Sequence, residues 1–169
     1  LPKDHDQSYA YFMRYNLFDH VNIDQANCNI PNGMNPDAEG ECARYDAVID
    51  GFGGADLQLL GIGVDGHIGF NEPADAFTDE SFKVTLTQST IDSNQKYFGD
   101  VPMPRYALTM GIGSIMRAKK ILLIATGASK AEAIKGMIKG GVTPRLPASV
   151  LNEHSDVIVM LDKEAASLL

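Results

Sequence analysis

The chain has no tryptophan and only two cysteines, Cys28 and Cys42, among its 169 residues. Neither cysteine sits in a CxxC pair or a His-rich stretch, so a zinc ribbon and a redox motif are unsupported, and reduced thiols of a cytoplasmic protein are expected. Basic charge is also scarce. Against 22 Asp+Glu stand 14 Lys+Arg, for a net charge of −8, and the densest basic stretch is only residues 117–120. That balance argues against nucleic acid and against an anionic membrane surface as partners. Long apolar runs are missing too. The longest, residues 121–125 and 157–161, are strand-sized and far below the roughly 18 residues that a membrane span requires. No signal-peptide pattern opens the chain, which starts at Leu1-Pro2 without an initiator Met, so an absent upstream segment is left open.

What is present suits one soluble globular domain: 44% apolar and 21% charged residues, with a length that buries roughly 70% of the unfolded surface. No repeat, low-complexity tract or linker divides residues 1–169, which are expected to form a single domain. Ser8 as N-cap and the spacing of Tyr9, Phe12, Met13, Phe18 and Val21 predict a helix over 8–20, its aromatics facing a core. A second helix is expected over 37–49, stopped by the glycines at 51, 53 and 54. Strands are predicted at 57–62, 82–87, 106–110, 120–126 and 157–161. Helical segments are predicted at 90–98, 114–118, 129–139, 147–151 and from 162 to 169. This alternation is the sign of an α/β layered fold.

Gly61-Ile62-Gly63-Val64-Asp65-Gly66 matches G-x-G-x-x-G directly after a predicted strand. A dinucleotide loop must open a helix, yet Gly69, Asn71 and Pro73 follow and discourage one. The better reading is a ligand loop at the carboxyl end of a parallel strand. It carries Asp65, His67 and Glu72 within eight residues, the material of a general acid/base site, because carboxylates beside an imidazole tune it and fix one ring nitrogen. The alternative is structural: Asp65 caps the turn, His67 is a satisfied loop histidine and Glu72 is solvated. A metal site on the same three side chains would lack a second His or Cys to complete its shell.

Gly127-Ala128-Ser129-Lys130 turns from a predicted strand straight into a helix, placing free N–H groups, a hydroxyl and an ammonium at one point. That suits a phosphate monoester, although an N-cap Ser beside a solvated Lys would read the same. Gly111-Ile112-Gly113-Ser114 is similar but has no cation.

The run from Gly61 through Asp65-Gly66-His67 to Phe70-Asn71-Glu72-Pro73 closely resembles the signature of the glucosamine-6-phosphate deaminases. Leu1-Pro2-Lys3-Asp4-His5, Ser8-Tyr9, Asn32-Gly33, the stretch 106–113 and the stretch 127–130 are similar as well, so the resemblance covers nearly the whole chain. It implies a Rossmann-like parallel sheet sandwiched by helices in three αβα layers. It also implies conversion of glucosamine 6-phosphate and water to fructose 6-phosphate and ammonia, with no cofactor and no metal. By that resemblance His67 moves the proton on the ring oxygen as the sugar opens, with Asp65 and Glu72 holding it. Lys130 binds phosphate and Gly61 offers a backbone contact. Lys96, in a segment 87–104 that resembles the family's lid, stands where some members have a phosphate-binding Arg; a Lys keeps the charge but loses the fork.

The family's general base, in an Asp-Glu-Tyr motif, and its Ser-Gly-Gly-Ser-type phosphate loop have no counterpart among these residues. The resemblance therefore implies that an N-terminal part with the first strands is absent from this chain, which alone should not turn over substrate. Phe82 and Val84 replace basic residues of allosteric members, which implies no effector site. Rival readings are a 6-phosphogluconolactonase-type hydrolase and a sugar-phosphate-sensing effector domain of a regulator. Monomer and homo-oligomer stay undecided.

Overall fold

A computed structural model describes every residue except Val101, and every remaining side chain except those of Ser89 and Ser93. Among the described residues, five helices, α1 (Tyr9–Asn16), α2 (Ala38–Gly51), α3 (Gln88–Asn94), α4 (Ile112–Met116) and α5 (Ala131–Lys139), accompany five strands, β1 (Gln58–Leu60), β2 (Phe82–Thr85), β3 (Tyr106–Thr109), β4 (Ile121–Ala125) and β5 (Val157–Leu161). Short 3-10 turns occupy Ala128–Lys130 and Pro147–Glu153, among others.

The parallel sheet has the order β1-β4-β5, with Leu60 opposite Leu123 and Leu123 opposite Val159. Because side chains alternate across a strand, Ile121, Leu123 and Ala125 of β4 face one way, into a core with Leu60, Ile115, Ile134, Met137 and Ala148. Helices α4 and α5 and the Pro147–Glu153 turn contribute that layer. β2 and β3 do not join the parallel sheet. They form a separate antiparallel ribbon, Phe82 opposite Thr109, with α2 against it.

Local chemistry explains the ends of the elements. Asp37 caps α2 by accepting from the Gly40 N–H at 2.9 Å, and Glu39 and Glu41 place negative charge in its first turn. Gly53, at φ +79°, and Gly54, at φ +87°, take the left-handed conformation that ends it. Buried Glu41 accepts a forked pair from Arg44 at 2.7 and 3.0 Å and one bond from the Asn32 N–H at 2.7 Å. The Arg44 hydrogen bonds, helped by the Asn32 bond, outweigh burial, which pushes the other way, and set the Glu41 carboxyl down to about 2; the turn-rich loop before α2 is thereby tied to the helix.

Two expectations are corrected. Helix α1 stops at Asn16 and buries none of its residues; Tyr9, Phe12 and Tyr15 are exposed instead of facing a core, and Tyr11 stacks on Tyr15. Residues 162–169 form turns, not a helix. One four-residue hydrogen bond, from the Ala166 N–H to the Asp162 carbonyl, gives way to three-residue ones from Ser167 and Leu169, and the Asp162 carboxylate holds the N–H groups of both Ala165 and Gly127.

The other face of the parallel sheet is uncovered. Leu59, Leu122 and Ile158 lie in one row and Ile124 and Met160 in the next, with Leu59 60% exposed. A parallel sheet ordinarily buries both faces. The 169-residue polypeptide is therefore expected to bind a hydrophobic dye and to self-associate in sedimentation. The pair Ile124→Lys and Met160→Lys should lower both signals with little change in melting temperature. Dye-free, monodisperse behaviour of the unsubstituted chain would contradict a solvent-facing sheet.

Candidate active site

The loop after β1 is held in shape by its own backbone. The Gly63 N–H donates to the His67 carbonyl at 2.9 Å, and the Gly66 N–H donates to the Gly63 carbonyl at 3.1 Å. Gly66, at φ +85°, takes a conformation that a side chain disfavours. Gly63 is required for a different reason: a Cβ there would collide with the His67 imidazole and lie 2.6 Å from Asp65 Oδ1.

Distant elements pin the loop from outside. The Asn71 side-chain amide donates to the carbonyls of Ile68 and Met110, both at 2.9 Å, and the Phe70 N–H donates to Thr109 Oγ1 at 3.0 Å. The Ala148 N–H donates to the Gly66 carbonyl at 2.9 Å. Ile68, fully buried, anchors the middle of the loop in the core.

The result is a convergence on one atom. Asp65 Oδ1 lies 2.8 Å from His67 Nδ1, and Glu72 Oε2 lies 3.5 Å from the same nitrogen. Both contacts sit off the line of a hydrogen bond, so they act as charge contacts. The Glu72 side chain is 9% exposed, His67 24% and Asp65 35%. Burial opposes ionisation of Asp65, but the backbone N–H of His67 and the imidazole charge outweigh it and hold the carboxyl below its ordinary value. The other ring nitrogen, Nε2, makes no hydrogen bond to any described residue. With both carboxylates on one side, a neutral ring would carry its proton on Nδ1 and its lone pair on Nε2.

Glu72 Oε1 is held from a different direction. It accepts from Thr90 Oγ1 at 2.6 Å, with Thr87 Oγ1 3.5 Å away and nearer to Thr90 Oγ1. Neither threonine was among the sequence candidates. The Thr87-x-x-Thr90 spacing marks a helix start, and Thr87 does cap α3, but nothing in the spacing says that residues fifteen and eighteen positions on meet Glu72.

The remaining candidates lie at varied distances from the trio. Gly61 follows β1 directly, with open space where a side chain would stand, which leaves its backbone approachable. Lys130 sits at the amino end of α5 after β4. Since β1 and β4 are parallel neighbours, it leaves the same edge of the sheet as the Asp65 loop. Lys130 has no ion-pair partner among the described residues, but the Gly127 N–H beside it is taken by Asp162, so that donor is not free. Lys96 is exposed with its Nζ over the Tyr97 ring at 4.9 Å and is not drawn to the trio; Val101 of its segment lies outside the described residues.

A cleft of about 330 Å³ lined by Asp46, Asp50, Ser114 and Arg117 does not include the trio, while the recess beside Asn71 and Glu72 holds only about 10 Å³. Chemistry, not cavity size, marks the site. One ligand atom from each of Asp65, His67 and Glu72 falls within 4.8 Å of the others, close enough to hold a cation. One imidazole and two carboxylates fall short of the four ligands of a closed zinc site.

Comparison with known proteins identifies the relatives of the chain as a whole. The family described as glucosamine-6-phosphate isomerases/6-phosphogluconolactonase matches residues 1–160. The chain is 54% identical to a glucosamine-6-phosphate deaminase of Thermoanaerobacter sp. (strain X514), covering all of this chain and 67% of the relative. It is 52% identical to one from Clostridium perfringens (strain SM101 / Type A), covering 70% of it. A solved structure of a monomeric glucosamine-6-phosphate deaminase superposes with a TM-score of 0.95 at 45% identity, over all of this chain and 70% of that one. A 6-phosphogluconolactonase from Trypanosoma cruzi, at 22% identity and TM-score 0.75, covers all of this chain and 69% of its own length and shares the fold.

Replacing Gly63 by Ala should push the imidazole off its carboxylates. The expected outcome is a clear change in the His67 ring resonances, with a stability loss of about 1–3 kcal/mol from overpacking. Unchanged ring resonances would mean that the imidazole is not confined by Gly63.

Proposed function

The chain belongs to the family of glucosamine-6-phosphate isomerases and 6-phosphogluconolactonases, and from that premise we propose that it serves the deaminating aldose–ketose isomerisation of glucosamine 6-phosphate. The reaction consumes water and yields fructose 6-phosphate and ammonia. The observation that carries the reading is the pair of carboxylates on His67 Nδ1, which leaves Nε2 free for a substrate.

In this reading Nε2 takes the proton of the anomeric hydroxyl, the C1–O5 bond breaks as the C1 carbonyl forms, and the ring oxygen leaves with the proton that Nε2 returns. Asp65 and Glu72 stabilise the imidazolium formed on the way. A proton must then move from C2 to C1 while O1 gains the proton that the C2 amine gives up, so that the C1 carbonyl becomes a hydroxyl and the amine an imine. That step takes place on the open chain and needs a base of its own, which the trio does not supply. The C2 imine that results adds water and releases ammonia. Lys130, at a helix amino end, holds the phosphate dianion, Gly61 contributes backbone, and Lys96 offers a second charge to the phosphate. No metal is needed for any of these steps. Phe82 and Val84 lie in β2, Val84 buried, where a basic group for an effector would be desolvated. Free Cys28 and Cys42 fit a cytoplasmic setting, and among the described residues no helix is long and apolar enough to cross a membrane.

The test joins this chain to the remaining third of the Thermoanaerobacter deaminase. That chimera should release ammonia from glucosamine 6-phosphate, and His67→Ala should lower its kcat by about 10²–10⁴ with the fold retained. Near-normal turnover in the variant would remove His67 from the chemistry. Release of acid from 6-phosphogluconolactone in place of ammonia would favour the lactonase reading.

Lys130→Ala in the same chimera should raise KM more than it lowers kcat, because a phosphate cation binds ground and transition states alike. An unchanged KM with a collapsed kcat would place Lys130 in the chemistry instead.

A further inference from the structure

Glu72 can orient His67 only if its own carboxylate is fixed, and no described residue of the Gly61–Pro73 loop donates an aligned hydrogen bond to it. Its Oε2 is buried and makes no aligned hydrogen bond. Its Oε1 is gripped from outside the loop by Thr90, a buried residue eighteen positions on in α3. At 2.6 Å this hydroxyl-to-carboxylate bond falls in the short, charge-assisted range. The hydroxyl that donates it is itself set by a relay: Thr87 Oγ1 donates to Thr90 Oγ1 at 3.0 Å and accepts the Thr90 backbone N–H at 3.2 Å, so the cap of α3 and the grip on Glu72 are one arrangement.

We propose that Thr90 is a positioning residue for the site. By holding Glu72 Oε1 it aims Oε2 at His67 Nδ1, keeps the ring proton on that nitrogen and ties the orientation of the acid/base to the placement of α3. The inference rests on the reading of His67 given above, but its geometry can be tested apart from turnover.

The first measurement uses the 169-residue chain and the nitrogen-15 resonances of the His67 ring at one fixed, mildly alkaline pH. Thr90→Val, nearly the same shape without the hydroxyl, should move the Nδ1 and Nε2 shifts toward each other as the proton spreads over both nitrogens. Thr90→Ser should restore the original separation. On a Glu72→Gln background Thr90→Val should add no further shift, since the two act as a unit. Unchanged shifts in Thr90→Val, or an equal further shift on the Glu72→Gln background, would overturn the proposal and leave Thr90 as helix packing.

The second measurement is kinetic, in the chimera. Loss of a hydrogen bond to a charged group corresponds to about ten- to hundredfold in rate, so Thr90→Val should lower kcat by that factor with KM within about twofold, and Thr90→Ser should recover most of it. A rise in KM alone, or failure of Thr90→Ser to recover activity, would contradict the role. If His67→Ala keeps its activity while the ring shifts still respond to Thr90→Val, the functional reading fails and the positioning geometry stands.

Discussion

The site depends on two carboxylates meeting at one nitrogen of one imidazole. Asp65 and Glu72 approach His67 Nδ1 at 2.8 and 3.5 Å, and much of the surrounding structure can be understood as keeping that meeting in place. Asp65 is two residues from His67 and needs only the tight turn at Gly63 and Gly66. Glu72 is five residues away and must be brought back: Asn71 bonds the loop to itself through the Ile68 carbonyl and to the residue after β3 through the Met110 carbonyl, and Thr90 takes the far carboxylate oxygen. The near carboxylate is thus a property of a local turn. The far one is a property of tertiary structure, drawing on the β2–β3 ribbon and α3.

This division explains how much was legible in the sequence. The Asp65, His67 and Glu72 cluster could be read because all three lie in one turn after an apolar strand, and strands β4 and β5 because their apolar runs are unbroken. Helix α2 was legible through Asp37 and the glycines that stop it. Thr90 was not, since a hydroxyl eighteen residues away carries no local sign of its partner. Periodicity misjudged α1, whose apolar spacing predicts a buried face that the structure leaves in solvent. It also took residues 162–169 for a helix, where the Asp162 carboxylate serves Gly127 and Ala165 together and the chain turns instead.

The exposed face of the sheet and the exposed aromatics of α1 share a physical character: large apolar side chains left mostly in solvent. The chain spans 67–70% of the relatives that it matches over its full length. Within that span the loop of Asp65, His67 and Glu72 and the helix that starts at Lys130 leave the same edge of neighbouring parallel strands, where open α/β sheets place their ligands. The β1–β4 pairing is therefore what relates the chemistry of the Asp65 loop to the charge of Lys130.

The ring opening proposed for His67 can be observed without any later step. The two anomers of glucosamine 6-phosphate exchange only through the open chain, so their interconversion, followed by exchange NMR in the presence of the 169-residue protein, reports that event alone. The account predicts exchange faster than in buffer, lost on His67→Ala. Exchange no faster than in buffer, or acceleration that survives His67→Ala, would contradict it.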